Sequence, residues 1–275
     1  MTQSFDNGTL KSFFMKTLFI LLFFFSLSAD AQMFSSFDGT QIHYEIMGKG
    51  RPIVLLHGFI VNSNSWKGGM LPKKLSDAGF QVILLDLRGN GQSDKPHELA
   101  KYENNAEIKD VIGLMKFLKI PQYDVVGYSR GAILTARMMT MDKHIRTAII
   151  GGIGTDFTNL TWQRRKDFEE LFSGKAHLHP EFQGALNYAK KINADTTVLA
   201  LLQKVQPLTS LNAMKKFNKP VLVIIGSEDP EMTKTDSLVK NFKNATLKIV
   251  EGKDHNNASG SEEFAEEVLK FLREN

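Results

Sequence analysis

Hydrophobic and polar positions follow a blockwise pattern along the chain, with short apolar runs separated by longer amphipathic stretches. This pattern is typical of a mostly parallel sheet covered by helices, so we predict an α/β fold with one central sheet. Residues 42–46 alternate in polarity and are predicted as a half-exposed antiparallel strand at a sheet edge. Runs that are apolar at almost every position are predicted as strands buried on both faces, namely 53–56, 82–85, 124–127, 148–151, 221–225 and 247–250.

Helical spacing of apolar residues follows several of these strands, for example from Ile108 to Leu118 and from Phe264 to Phe271. The second stretch is preceded by Ser-Gly-Ser-Glu at 259–262, which we interpret as a capping box. The strand and helix rhythm stops between 154 and 218, after the sixth strand. We predict a small helical lid over 154–218, and surface helices without a gating role are the alternative.

The N-terminal region has the layout of a signal peptide. Lys11 and Lys16 precede a continuous apolar run at 17–27, and small residues flank Asp30 just after it. A stable membrane-spanning helix needs about 20 apolar residues, so this run is short for an anchor, which is the alternative interpretation. We therefore predict a signal peptide over 1–31, cleaved after Ala31, and a secreted or periplasmic domain over 32–275 without stable membrane insertion. Met15 is an alternative start.

Composition and charge narrow the function classes. The 275 residues are 42% hydrophobic, which suits one large core, and the formal net charge of +4 is spread along the chain rather than concentrated in one basic block. We expect no nucleic-acid partner and a small-molecule substrate instead. Cysteine is absent, so no disulfide is expected. His177 and His179 lack further ligands at a suitable spacing, and we expect neither a metal nor a cofactor.

A serine lies on the predicted turn between a buried strand and a helix. Residues 127–131 read Gly-Tyr-Ser-Arg-Gly, with Ser129 at the centre. Such a strand-turn-helix is typical of a nucleophile elbow, in which glycines are needed because side chains would collide with the adjoining strand and helix. His57 to Phe59 follow another buried strand, so the amides of Phe59 and Arg130 are predicted to form an oxyanion hole. His57 itself is interpreted as a structural histidine.

The order of these motifs resembles the α/β-hydrolase family. That family shares His-Gly after its third strand and Asp-x-Arg-Gly-x-Gly-x-Ser after the next, which here is 86–93. The resemblance implies an α/β-hydrolase fold over essentially the whole mature chain. It also implies a catalytic base just past the last strand and an acid in a Gly-x-x-Asp motif, which point to His255 and Asp229. Glu228 and Asp156 are the alternative acids.

The resemblance implies a serine hydrolase with a Ser129, His255 and Asp229 triad that cleaves an ester-like bond through an acyl-enzyme. Epoxide hydrolases and haloalkane dehalogenases place an aspartate at the elbow, so Ser129 argues against both. The alternatives are a carbon-carbon bond hydrolase on the same triad and a non-catalytic binding protein.

The Arg130 side chain either ties the helix start to a carboxylate or reaches an anionic substrate. Apolar residues of the lid are predicted to line an acyl pocket or to pack the lid onto the domain, namely Phe157, Leu160, Trp162, Phe168, Leu171, Phe172, Phe182 and Leu186.

Overall fold

The computed structural model describes residues 1–2 and 32–275. The predicted signal peptide and its cleavage site lie outside the described residues, apart from Met1 and Thr2. Among the described residues, no helix is long and apolar enough to cross a membrane.

Residues 32–275 form one eight-stranded sheet in the order β1-β2-β4-β3-β5-β6-β7-β8. The first two strands run antiparallel to their neighbours, and the other six are parallel to one another. This arrangement confirms the predicted mostly parallel α/β sheet. The strands are β1 (Gln32–Ser35), β2 (Gln41–Met47), β3 (Arg51–Leu56), β4 (Phe80–Leu85), β5 (Tyr123–Tyr128), β6 (Ile145–Gly151), β7 (Val221–Gly226) and β8 (Ala245–Val250).

Helices cover both faces of this sheet. They are α1 (Asn64–Lys67), α2 (Leu71–Asp77), α3 (Ala106–Phe117), α4 (Arg130–Met138), α5 (Gln163–Glu170), α6 (Gln183–Lys191), α7 (Thr196–Lys204), α8 (Leu211–Met214), α9 (Thr235–Val239) and α10 (Glu262–Glu274). Alternate strand residues point to opposite faces. Val54 and Leu56 accordingly belong to the core under α3 and α4, whereas Ile53 and Leu55 belong to the core under α2 and α10.

Two strand predictions were wrong in detail. The 42–46 segment is not an edge, because β2 pairs with β4 on one side and with the unpredicted β1 on the other. Its four central residues are buried for that reason. The 247–250 run is part of β8, which among the described strands pairs only with β7 and forms the opposite edge of the sheet, so only Val250 in this run is buried.

The capping box at 259–262 was also assigned two residues too early. That pattern would make Ser259 the N-cap, but α10 begins at Glu262 and its N-cap is Ser261. The Ser261 hydroxyl accepts a hydrogen bond from the Phe264 amide at 3.1 Å. Ser259 lies within a short 3-10 turn, Ala258–Gly260.

The segment 154–218, which we call the lid segment, is inserted between β6 and β7. It contains α5 to α8 and a π-helical turn, Leu171–Lys175. Its apolar side chains form a separate small core that includes Phe168, Leu171 and Leu199 and also contacts Ile60 and Tyr102 of the sheet domain. The lid segment is therefore packed on the domain above the carboxyl ends of the central strands.

Candidate active site

The candidate site lies where several parallel strands end. Phe59 follows β3, Ser129 follows β5, Asp229 follows β7 and His255 follows β8. The carboxyl ends of parallel strands meet at one edge of a sheet, which is where open α/β sheets place their ligand sites. The fold thus brings together residues that are up to 196 positions apart in the chain, counted from Phe59 to His255.

Ser129, His255 and Asp229 are joined by two hydrogen-bond contacts. The Ser129 Oγ lies 2.9 Å from His255 Nε2, and His255 Nδ1 lies 2.8 Å from Asp229 Oδ2. A carboxylate only accepts, so His255 Nδ1 carries a proton and Nε2 is free to accept the serine proton. The three residues predicted from sequence therefore lie in the relative positions of a nucleophile, a base and an orienting acid.

The backbone at Ser129 is strained. It has φ 53° and ψ −118°, outside the regions that non-glycine residues favour. The Ser129 amide donates to the Gly151 carbonyl of β6 at 2.8 Å, and its carbonyl accepts from Ala132 and Ile133 at the start of α4. The neighbouring strand and helix thus hold the serine in the turn.

The two glycines of the motif are required by close backbone approach. A Cβ on Gly127 would collide with the Gly131 carbonyl and the Thr135 hydroxyl of α4, and a Cβ on Gly131 would collide with the Leu56 carbonyl of β3. Any side chain at either position would push the strand, the turn and the helix apart. These contacts agree with the prediction that side chains at 127 and 131 would collide with the adjoining strand and helix.

Asp229 is suited to remain ionised beside His255. Its side chain is buried, and burial alone would raise the pKa of this carboxyl. Hydrogen bonds from His255 and from the Glu231 amide, at 2.9 Å, outweigh burial, so the pKa of Asp229 lies below its ordinary value of 3.8. Of the alternative acids, Glu228 is exposed, and Asp156 pairs with Lys234 at 2.5 Å.

The amides of Phe59 and Arg130 are placed next to Ser129 with no competing acceptor. Within residues 32–275, neither N–H donates to a backbone or side-chain group. Arg130 is the first residue of α4, whose N-terminus carries partial positive charge. The Gly58 backbone packs against Ser129, because a Cβ added to Gly58 would lie 3.6 Å from the Ser129 Cβ. Both amides are therefore uncommitted within the described residues, which is the condition that an oxyanion hole requires.

The Arg130 side chain belongs to a buried ion pair. Its two terminal nitrogens donate to the two Glu107 oxygens at 2.6 and 2.5 Å, and both side chains are at most 4% exposed. This geometry matches the structural alternative, in which the side chain ties the helix start to a carboxylate. Glu107 lies on α3, so the pair joins α3 to the elbow.

His57 makes structural hydrogen bonds to neighbouring backbone groups, in agreement with its interpretation as a structural histidine. It is buried, its Nε2 accepts from the Leu87 amide at 3.0 Å, and its Nδ1 lies 2.9 Å from the Gly58 carbonyl. Since Nε2 accepts, Nδ1 is the donor. Burial lowers the pKa of His57, which keeps the ring neutral.

The histidines of the lid segment have different surroundings. His177 is exposed, whereas His179 is buried and its Nε2 lies 3.0 Å from Glu170. His177 therefore lies on the surface of the lid segment, whereas His179 is part of a buried polar contact. In the described part of the chain, no group of three His, Asp or Glu residues has an arrangement that could hold a metal ion.

Two clefts meet at Ser129 and His255. One runs toward Trp66 and Asn256. The other, which we call the lid-side cleft, runs under the lid segment and opens to solvent. Its apolar lining is formed by Phe59, Ile133, Ile153, Phe157, Trp162 and Phe168.

The lid residues proposed from sequence as an acyl pocket divide into three groups. Phe157, Trp162 and Phe168 line the lid-side cleft. The others that are shielded from solvent pack within the lid core, namely Leu171, Phe172, Phe182 and Leu186. Leu160 is 66% exposed and belongs to neither. Hydrophobicity alone could not distinguish these positions.

Sequence reasoning missed several residues around the site. The Tyr128 hydroxyl donates to the His255 carbonyl at 2.8 Å, and a Cβ on Gly226 would collide with the Lys253 carbonyl of the His255 loop. Both residues therefore position the histidine. Tyr128 directly precedes Ser129, which was the only signal for it in the sequence. The polar lining residues Gln203 and Gln206 carried no signal, because their approach to Ser129 depends on how the lid segment packs.

Comparison with known proteins supports the architecture. A family model described as alpha/beta hydrolase fold matches residues 51–153. A putative non-heme chloroperoxidase from Synechocystis sp. is 41% identical over 90 residues, covering 33% of this chain and 31% of that protein. The chain thus spans about a third of that relative's length in the match.

Longer matches cover almost the whole fold. The non-heme chloroperoxidase CPO-A1 from Kitasatospora aureofaciens is 25% identical over 274 residues, covering 86% of this chain and 97% of that protein. Among solved structures, an esterase from Exiguobacterium antarcticum superposes with a TM-score of 0.73 at 20% identity, covering 88% of this chain and 99% of that one. At this identity the structural likeness concerns the fold.

Proposed function

We propose that this chain, which belongs to the α/β-hydrolase fold family, is a serine hydrolase that cleaves a carboxylic ester of a small molecule. Ser129 is the nucleophile, His255 the general base and Asp229 the residue that orients it. The observation that carries the proposal is the continuous contact from Ser129 Oγ through His255 to Asp229, with distances of 2.9 and 2.8 Å. Hydroxyl groups are weak nucleophiles, and a base at this distance is what activates them.

The reaction proceeds in two halves. His255 Nε2 accepts the Ser129 proton as Oγ attacks the ester carbonyl, and the resulting oxyanion accepts hydrogen bonds from the Phe59 and Arg130 amides. The tetrahedral intermediate collapses, the alkoxide leaves with the proton from His255, and the acyl group stays on Ser129. Water then loses a proton to His255, attacks the acyl-enzyme and releases the acid and free Ser129.

Hydrolysis of p-nitrophenyl esters of graded acyl length tests this function. We expect the wild-type protein to hydrolyse at least one ester of the series and Ser129→Ala to lose about 10⁴-fold or more in kcat. Ser237→Ala, a change at an exposed serine of α9, is the matched control and should keep the full rate. A Ser129→Ala variant with wild-type activity would exclude Ser129 as the nucleophile, and activity on amides or diketones alone would exclude the ester assignment.

A second reaction on the same site is suggested by the names of two relatives, which are non-heme chloroperoxidases. If hydrogen peroxide replaces water in the second half, the acyl-enzyme yields a peracid in place of the acid. Halide oxidation measured with acetate and hydrogen peroxide would reveal this reaction, and it should disappear in Ser129→Ala. Halide oxidation that persists in the Ser129→Ala variant would show that this reaction does not take place at the proposed site.

We also propose that the protein is exported and begins at Gln32 after cleavage. The proposal rests on the apolar run and the small-residue site in the sequence. The intact mass of protein recovered from outside the cytoplasm should match 32–275, and a mass that includes residues 1–31 would contradict it.

A further inference from the structure

The lid-side cleft has a polar part that a plain alkyl ester would not use. Four lid residues line it together with Ser129 and His255, namely Arg164, Arg165, Gln203 and Gln206, which we call the lid polar cluster. The members lie next to one another, since Arg165 Nε donates to the Gln203 carbonyl at 2.8 Å and the Gln206 amide donates to the same carbonyl at 3.3 Å. The cluster forms where the first turn of α5 meets the last turn of α7.

Both glutamines are buried with unused side chains. Each is only 6% exposed, and within residues 32–275 neither carboxamide has a hydrogen-bond partner in the protein. Neither carboxamide is among the described polar groups that are both sealed from solvent and unpaired, so both reach the cleft that they line. Since both residues line the cleft that contains Ser129, a ligand in that cleft is the partner that would satisfy them.

The charges around the cluster favour an anionic ligand. Neither Arg164 nor Arg165 has a carboxylate within 4.0 Å among the described residues. Arg164 is exposed and lies over the Phe168 ring at 5.4 Å, whereas Arg165 donates to the carbonyls at the end of α7. The carboxylate that lines this cleft, Glu231, shares Lys234 with Asp156, since Lys234 Nζ lies 3.9 Å from Glu231 and 2.5 Å from Asp156.

We propose that the substrate is an ester whose acyl or alcohol part carries a carboxylate, bound by the lid polar cluster. This inference rests on the proposed function and narrows its substrate class. The apolar lining accommodates the hydrocarbon between the two ends, while glutamine N–H groups and the Arg164 guanidinium hold the carboxylate. Carboxylates bind such donors more strongly than neutral oxygens do, because the hydrogen bonds are charge-assisted.

Matched esters test the proposal. Monomethyl succinate, glutarate and adipate carry a free carboxylate, and methyl butyrate, valerate and hexanoate have the same acyl lengths without it. Dimethyl adipate is the neutral polar comparison. We expect kcat/KM for at least one half-ester to exceed that of its alkyl counterpart and that of its diester by about tenfold, the size of one charge-assisted hydrogen bond.

Variants of the lid polar cluster test whether it is the source of the preference for half-esters. Gln203→Leu and Arg164→Gln should remove most of it by raising KM for the half-ester, with kcat/KM for the alkyl ester changed less than about threefold. Lys166→Gln removes an exposed cation from the same helix and should leave the preference intact. Thermal unfolding of each variant checks that the fold is retained.

The outcomes separate the two proposals. Hydrolysis of alkyl esters or the diester at rates equal to or above those of the half-esters would overturn the carboxylate assignment and leave the serine hydrolase intact. A preference that Arg164→Gln and Gln203→Leu both retain would overturn the role of the cluster. If none of the esters is hydrolysed by a protein that also leaves p-nitrophenyl esters intact, the proposed function fails as well.

Discussion

At the scale of single residues, the ion pair of Arg130 and Glu107 is costly to bury. Both side chains are at most 4% exposed, and the guanidinium meets the carboxylate through two parallel contacts. Removing one partner of such a pair leaves an uncompensated buried charge. Because Arg130 directly follows Ser129, the pair also fixes the helix start that supplies one oxyanion donor.

We therefore expect Glu107→Gln to lower the free energy of unfolding by about 3–5 kcal/mol in urea denaturation. Asp77→Asn, which breaks the exposed pair with Lys73 on α2, is the matched control and should have little effect. Equal effects of the two substitutions would show that the buried pair contributes no more than a surface one.

The ionisation of Asp229 gives a pH prediction with a defined sign. Its pKa in the folded protein is lower than the ordinary 3.8, so folding favours the charged form. The resulting stability is complete above the unfolded pKa and is lost as the pH falls through the folded pKa. The difference in free energy of unfolding between wild type and Asp229→Asn should thus be constant above about pH 5 and should decrease on acidification. A difference that increases toward acid would contradict the depressed pKa.

Residue roles were predictable where a motif fixes the local geometry. Ser129 follows directly on β5, and Phe59 and His255 lie within five residues of the ends of β3 and β8, so the sheet edge places them without reference to the rest of the chain. The surroundings of Arg130 were not predictable, because its partner Glu107 lies on α3 and no spacing rule connects the two. Gln203 and Gln206 were missed for the same reason.

At the scale of elements, the errors concern the edges of the sheet. The strand β1 has only four residues, and a short segment before a turn carries too few positions to reveal a period. Without β1, β2 was assigned as an edge. The apolar content of β8 did not distinguish a buried strand from an edge strand partly covered by α9 and α10, because composition does not report strand order.

The start of α10 gives an element-scale prediction. Because the Ser261 hydroxyl accepts from the Phe264 amide, Ser261→Ala should lower the free energy of unfolding by about 1 kcal/mol, the usual loss for an N-cap. Ser259→Ala should have a smaller effect in the same urea titration, since Ser259 does not cap the helix. The reverse order would support the capping box as read from the sequence.

At the scale of the whole molecule, one sheet edge joins a strained serine, a histidine, a buried carboxylate and two free amides beneath an inserted helical segment. The insertion point follows from the break in the alternating pattern after the sixth strand, whereas the strand order was not predicted. The shape of the cleft does not, since it depends on contacts between the lid segment and the domain, such as the ring of Phe59 at 5.6 Å from that of Phe172.

The central claim is that Ser129 is an activated nucleophile, and covalent labelling with a fluorophosphonate measures this directly. The serine oxygen would bond to phosphorus as fluoride leaves, so the intact mass should increase by one adduct, located by peptide mass spectrometry at Ser129. His255→Ala, which removes the base, should prevent or greatly slow the labelling. Folded wild-type protein that gains no adduct, or gains it at another residue, would contradict the account.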